Sequence, residues 1–130
     1  MNVGIVGCGL IGEKRAKALG DHKLIIAGDN DINKAQRICR IKNQGEATNS
    51  WQEVVSHPDV EIVIVATTNN WLTPIGVSAL KHNKHVLIEK PGARSSQEIK
   101  CFLEKEKKSD KRVKVGFNLR YHPAMIKAKE

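Results

Sequence analysis

Residues 3–12, Val3-Gly4-Ile5-Val6-Gly7-Cys8-Gly9-Leu10-Ile11-Gly12, run from an apolar segment straight into spaced glycines. Residues 2–6 read as a strand buried on both faces, because they lack the polar–apolar alternation of a half-exposed strand. Residues 10–19 read as a helix, with Leu10, Ile11, Ala18 and Leu19 as its apolar positions. Gly7, Gly9 and Gly12 thus form G-x-G-x-x-G between a strand and a helix, the context in which this spacing has chemical meaning. Gly7 permits the tight turn, Gly9 lets a pyrophosphate approach the backbone, and Gly12 lets the helix pack closely on the strand. The free N–H groups at the helix start are expected to bind the phosphates.

Such a unit also places an acidic residue at the end of the next strand, about 20 residues on. Lys23 to Gly28 reads as that strand, and Asp29 follows it, 22 positions after Gly7. Its carboxylate is expected to accept hydrogen bonds from both hydroxyls of an adenosine ribose and to repel a 2′-phosphate. NAD is therefore expected ahead of NADP, with Asn30, Lys34 and Arg37 as the side chains able to turn towards a 2′-phosphate. The cofactor set expected at this end is Gly7, Cys8, Gly9, Leu10, Ile11, Gly12, Asp29 and Asn30.

Strand and helix signals alternate along the rest of the chain. Asp31 N-caps a helix to about residue 42. Ala47-Thr48 is a short third strand, and Ser50 to Glu53 has the spacing of a capping box. Residues 61–66 form a β-branched fourth strand. Thr73-Pro74 is expected to start a helix with proline at its first position. Residues 85–88 are a fifth strand. Ser95 to Glu98 is a second capping box, opening a helix to about residue 108, and residues 113–117 are a sixth strand. This order predicts an α/β fold, a Rossmann-type doubly wound parallel sheet of about six strands.

Composition narrows the function. No apolar run approaches the ~20 residues of a membrane span. Without a visible signal segment, a cytoplasmic location is the expectation. The three cysteines, Cys8, Cys39 and Cys101, are far apart with no C-x-x-C spacing, so no metal site or disulfide framework is expected. The net charge of +8 raises nucleic acid as a partner. The basic residues are scattered, however, and aromatics are too few for a stacking platform, so no nucleic-acid or membrane partner is expected.

Polar clusters follow the strands at their carboxyl ends, where open α/β sheets bind ligands: Thr67-Thr68-Asn69-Asn70-Trp71, Glu89-Lys90-Pro91-Gly92, and Asn118-Leu119-Arg120-Tyr121-His122-Pro123. Together with the GCGLIG loop, the Asp29 strand end, Lys84-His85-Val86-Leu87-Ile88-Glu89-Lys90-Pro91 and Val115-Gly116-Phe117-Asn118, these residues resemble the glucose–fructose oxidoreductase, inositol dehydrogenase and rhizopine-catabolism (Gfo/Idh/MocA) family along the whole chain. The Glu-Lys-Pro segment is the most specific part of the resemblance.

That resemblance implies an NAD(P)-dependent oxidoreductase passing hydride between nicotinamide and a hydroxyl or carbonyl of a sugar, cyclitol or nucleotide-linked sugar. Lys90 would be the catalytic residue, facing both nicotinamide and substrate. Glu89 would orient the lysine or contact the nicotinamide ribose. Thr67, Thr68 and Asn69 would line the cofactor's nicotinamide half. Asn118, Arg120 and His122 would contact substrate, Arg120 holding an anionic group; the segment follows a motif of members that make surface polysaccharides or modified sugars.

Two departures stand out. Leu72 occupies a position where many members carry histidine. The family also has a larger C-terminal α/β domain, which supplies further catalytic residues and usually the oligomer interface. Residues 1–120 are expected to be the dinucleotide-binding domain and 121–130 the start of the connection to that domain. The chain alone is expected to bind cofactor with little or no chemistry, and the full-length protein to be a homo-oligomer. The alternative is a non-catalytic NAD-binding sensor or regulatory module. A methyl-transfer enzyme using S-adenosylmethionine fits the third glycine and the Glu-Lys-Pro cluster poorly.

Overall fold

A computed structural model describes residues 1–129. The elements alternate as the sequence predicts: β1 (Asn2–Val6), α1 (Leu10–Lys17), β2 (Lys23–Gly28), α2 (Ile32–Lys42), β3 (Glu46–Thr48), α3 (Trp51–Ser56), β4 (Ile62–Val65), α4 (Asn69–Lys81), β5 (His85–Ile88), α5 (Ser96–Lys107) and β6 (Val113–Val115). A 3-10 turn, Asn118–Tyr121, and a short helix α6, Pro123–Lys127, follow. The strands form one sheet in the order β3-β2-β1-β4-β5-β6, with every pair parallel. The chain direction across the sheet reverses between β1 and β4, so a crevice opens at their carboxyl ends.

The sheet divides two cores. On one face Val6, Val63, Val65, Val86 and Ile88 pack with α3, α4 and Phe102 of α5. On the other, Val3, Ile5, Leu24 and Ile64 pack with Ala16 of α1 and Ala35 and Ile38 of α2. The unalternating strands are thus covered on both sides, the environment their composition requires.

Two boundaries and the buried face of α1 differ from the sequence reading. Helix α4 starts at Asn69, not at Thr73-Pro74, and Pro74 sits within it. Leu72, Ile75, Gly76, Ala79 and Leu80 are all buried, which is the i, i+3, i+4, i+7, i+8 stripe of a helix already under way. Pro74 and Asn70, the residue whose carbonyl loses its usual donor, are both exposed. Strand β6 ends at Val115, because the Phe117 N–H turns back to the Val115 carbonyl at 2.8 Å. Helix α1 buries Gly12 and Ala16, while Leu10 and Ile11 are exposed beside the glycine loop.

Only the serine half of each expected capping box forms. Ser50 and Ser95 accept the N–H of Glu53 and Glu98. The glutamates do not return to their own serine. Glu53 accepts the Thr48 hydroxyl, whose oxygen accepts the Ser50 N–H. Glu98 accepts the Arg94 N–H at 2.7 Å, the Arg94 guanidinium and the Thr73 hydroxyl. One carboxylate thereby ties the segment after β5 to both α4 and α5. These bonds pull the Glu98 carboxyl from its ordinary 4.5 down to about 2. Its contribution to stability is complete above about pH 4.5 and is lost as the pH falls towards 2. Glu98→Gln should therefore flatten the acid limb of a stability–pH profile across that window, measured by urea unfolding at a series of pH values.

Candidate functional site

The glycine loop is built from three different backbone requirements. Gly7 has φ +90°, and a Cβ there would lie 2.4 Å from the Ala66 carbonyl oxygen. A Cβ on Gly12 would lie 2.0 Å from the Gly7 carbonyl oxygen. These two glycines are demanded by the protein itself. Gly9 is not: a Cβ there would meet nothing within 4 Å, and its φ of −72° suits any residue. The bare backbone at Gly9 leaves a cradle at the start of α1, where first-turn N–H groups lack intrahelical acceptors. This is the shape and charge that a pyrophosphate fits.

Asp29 is held against this loop. Its Oδ2 accepts the Cys8 N–H at 2.7 Å and its Oδ1 accepts the Asp31 N–H at 2.9 Å. Two backbone donors fix the carboxylate at the mouth of the crevice, with each oxygen keeping a lone pair for a ligand hydroxyl. Cys8 is buried, and its thiol reaches the Gly28 carbonyl at 3.4 Å. Burial, and then the Asp29 charge, push that thiol up to about 12. It stays protonated near neutrality and is a packing group, not a nucleophile.

A cavity of about 520 Å³ opens beside these residues, lined by Gly7, Gly9, Asp29, Asn30, Thr67 and Thr68 among the expected cofactor contacts. Trp71, placed by the sequence in the cluster after the fourth strand, lines it too, and it has further walls that sequence reasoning missed: Asn49, Trp51 and Gln52 after β3, and Ile75 of α4. The rings of Trp51 and Trp71 lie 6.4 Å apart at 51°. Trp71 is 44% exposed, so an apolar face is open to a ligand. The available signal was position, since Trp51 and Trp71 each follow a strand's carboxyl end.

Asn69 is the exposed first residue of α4. Leu72, by contrast, is fully buried in the core, so its side chain offers the cleft no polar contact. Lys90 is exposed directly after β5, and the segment is pinned by Glu89 N–H to the Val65 carbonyl and Gly92 N–H to the Glu89 carbonyl, both 2.9 Å. The Glu89 carboxylate, expected at Lys90 or at a ribose, is engaged by Arg15 of α1. Asn118 and Arg120 lie exposed in the 3-10 turn. His122 is the N-cap of α6, with Nδ1 accepting the Ala124 N–H at 3.2 Å. Among the described residues no His, Cys, Asp and Glu cluster is arranged to hold a metal.

The model of an oxidoreductase family with an NAD-binding Rossmann fold, Gfo/Idh/MocA, matches residues 1–117. The chain belongs to this family. It is 29% identical to the levoglucosan dehydrogenase of Pseudarthrobacter phenanthrenivorans over 143 aligned residues, which take in 100% of this chain and 36% of that protein. It is likewise 29% identical to the scyllo-inositol 2-dehydrogenase (NAD(+)) of Bacillus subtilis, covering 96% of this chain and 38% of that protein. Among solved structures, an NAD binding oxidoreductase from Klebsiella pneumoniae superposes with a TM-score of 0.88 at 26% identity, over 99% of this chain and 37% of that one. The chain thus spans under two-fifths of the length of each of these relatives. The family's Rossmann fold binds NAD, and the glycine loop, the fixed Asp29 carboxylate and the cavity beside them have the shape and charge that a dinucleotide requires. No helix of the described residues is long and apolar enough to cross a membrane.

Proposed function

We propose that this chain is the cofactor-binding part of an NAD-dependent dehydrogenase acting on a hydroxyl of a sugar, a cyclitol or a nucleotide-linked sugar. The observation that carries the cofactor half is the contrast among the three loop glycines: of Gly7, Gly9 and Gly12, only Gly9 is bare without a packing reason, beside a carboxylate fixed by two backbone donors. The levoglucosan and inositol dehydrogenases that the chain resembles support the substrate class.

In this reading Gly9, Leu10, Ile11 and Gly12 bind the pyrophosphate through backbone N–H groups, and Asp29 accepts the two adenosine ribose hydroxyls. Asn30 flanks that ribose. Thr67, Thr68 and Asn69 border the nicotinamide half. The bound cofactor supplies the hydride acceptor. Lys90 donates a hydrogen bond to the substrate oxygen, orienting and polarising it. Asn118, Arg120 and His122 lie on the substrate side, and residues 1–120 form the dinucleotide-binding domain.

Calorimetric titration of the chain with NADH and NADPH, beside Asp29→Ala, tests this. NADH should bind more tightly than NADPH, and the substitution should cost roughly a hundredfold in NADH affinity, the order for two hydrogen bonds to a charged group. Failure of both nucleotides to bind would sink the reading. Tighter NADPH binding would overturn the role of Asp29 and leave the fold intact.

Leu72, buried where the family resemblance implies a histidine, favours a second reading, an NAD-binding sensor without catalysis. A full-length protein that binds NADH and oxidises none of a panel of sugars and cyclitols would support it.

A further inference from the structure

The two halves of the crevice are joined by a part-buried ion pair. Glu89 is 8% exposed, the Arg15 side chain 20% exposed, and their charged groups are in contact across 74 residues of sequence. Strand parity explains the meeting. Side chains two apart share a face, and Leu87 packs with the α1–α2 core. Glu89 continues along that face and meets α1, whereas the next residue, Lys90, is exposed. Gly116, just past β6, closes the third side: a Cβ there would lie 3.2 Å from both the Arg15 guanidinium and the Glu89 carboxylate. Helix α1 carries the phosphate cradle at its first turn, and the β5 end carries Lys90.

We propose that Arg15 is a positioning residue, which through Glu89 locks the Lys90 segment to the helix that carries the phosphate cradle and so shapes the nicotinamide half of the site. This rests on the proposed dinucleotide reading. With the pyrophosphate at the β1–α1 turn and the adenosine ribose at β2, the nicotinamide half extends over β4 and β5, the side on which Glu89 stands. Arg15 also keeps the Glu89 carboxylate occupied. A lone buried carboxylate would turn to the nearest available cation, and Lys90 adjoins it in sequence.

The test is a comparison of two ligands on the 130-residue chain. ADP fills only the adenosine side, whereas NADH fills both. Arg15→Met should lower NADH affinity roughly tenfold, the order of one charge-assisted hydrogen bond, and leave ADP affinity within about twofold. Arg15→Lys, which keeps the charge, should recover most of the NADH affinity. Glu89→Gln, which preserves shape, should reproduce the Arg15→Met split, and the double variant should lose no more than either single one. Equal losses for ADP and NADH, or no loss in any variant, would overturn the proposal. If Arg15→Met fails to fold, an unchanged NADH-to-ADP ratio in Glu89→Gln overturns it equally. A wild-type chain that binds neither nucleotide refutes the dinucleotide reading itself, and this inference falls with it.

Discussion

Gly12→Ala should destabilise the protein by about 3 kcal/mol or more and lower its Tm by about 10 °C, whereas Gly9→Ala should leave the Tm nearly unchanged. The new methyl group at position 12 would sit 2.0 Å from the Gly7 carbonyl oxygen. That oxygen belongs to the backbone of a turn fixed by the Gly7 N–H bond to the Gly28 carbonyl at 2.9 Å. No rotamer change relieves the overlap, so α1 must lift from β1, and Ala16, wholly buried below it, must move too. At Gly9 the same methyl group meets no protein atom within 4 Å. It would instead occupy the cradle. Gly9→Ala should therefore fold normally and lose at least about tenfold in NADH affinity. Thermal unfolding and nucleotide titration on the two variants separate the roles. A Gly9→Ala chain that binds NADH as tightly as wild type would mean that the pyrophosphate does not sit there.

The glycine spacing was legible because the flanking strand and helix signals supplied its context, although only Gly7 and Gly12 are demanded by the protein's own packing. The fold was legible for a related reason: apolar strands without alternation require cover on both faces, and the alternating order of elements leaves the doubly wound sheet as the solution. What sequence could not show were side chains whose partners lie far away. The Glu98 spacing announced a capping box, but its carboxylate bonds Arg94 and Thr73, because the segment after β5 packs there. Helix α4 was placed late because Pro74 is a strong local signal, and the Leu72–Leu80 stripe that outweighs it spans two turns. Arg15 carried no signal at all, since its meaning depends on Glu89 at the far side of the sheet. The Trp walls of the cavity were legible as position but not as contact, because α3 and α4 bring them together only in the folded chain.

Lys84 is another such residue, and Lys84→Met should cost about 3 kcal/mol, read by chemical denaturation at neutral pH. The residue is only 7% exposed, and Nζ donates to the His57 and Val60 carbonyls, both at 2.7 Å. These carbonyls close the turn from α3 into β4, where the Val60 N–H also bonds the His57 carbonyl at 3.3 Å. The lysine is delivered by the end of α4. There Asn83 adopts φ 60°, and the Asn83 and Lys84 N–H groups bond the Leu80 and Ala79 carbonyls at 3.0 Å, the pattern of a Schellman motif. Methionine keeps the apolar stem and removes both donors, which strands the buried Val60 carbonyl and loosens the entry to β4. Burial also holds the ammonium below its ordinary 10.5. The folded protein therefore releases this proton before the unfolded chain does, and the cost of burying the charge is relieved as pH rises towards 10.5. Wild type should show a component of stability that increases with pH in that alkaline window, and Lys84→Met should lack it. A variant as stable as wild type at neutral pH would show that the two carbonyls find water instead, and that the lysine sits there for its stem alone.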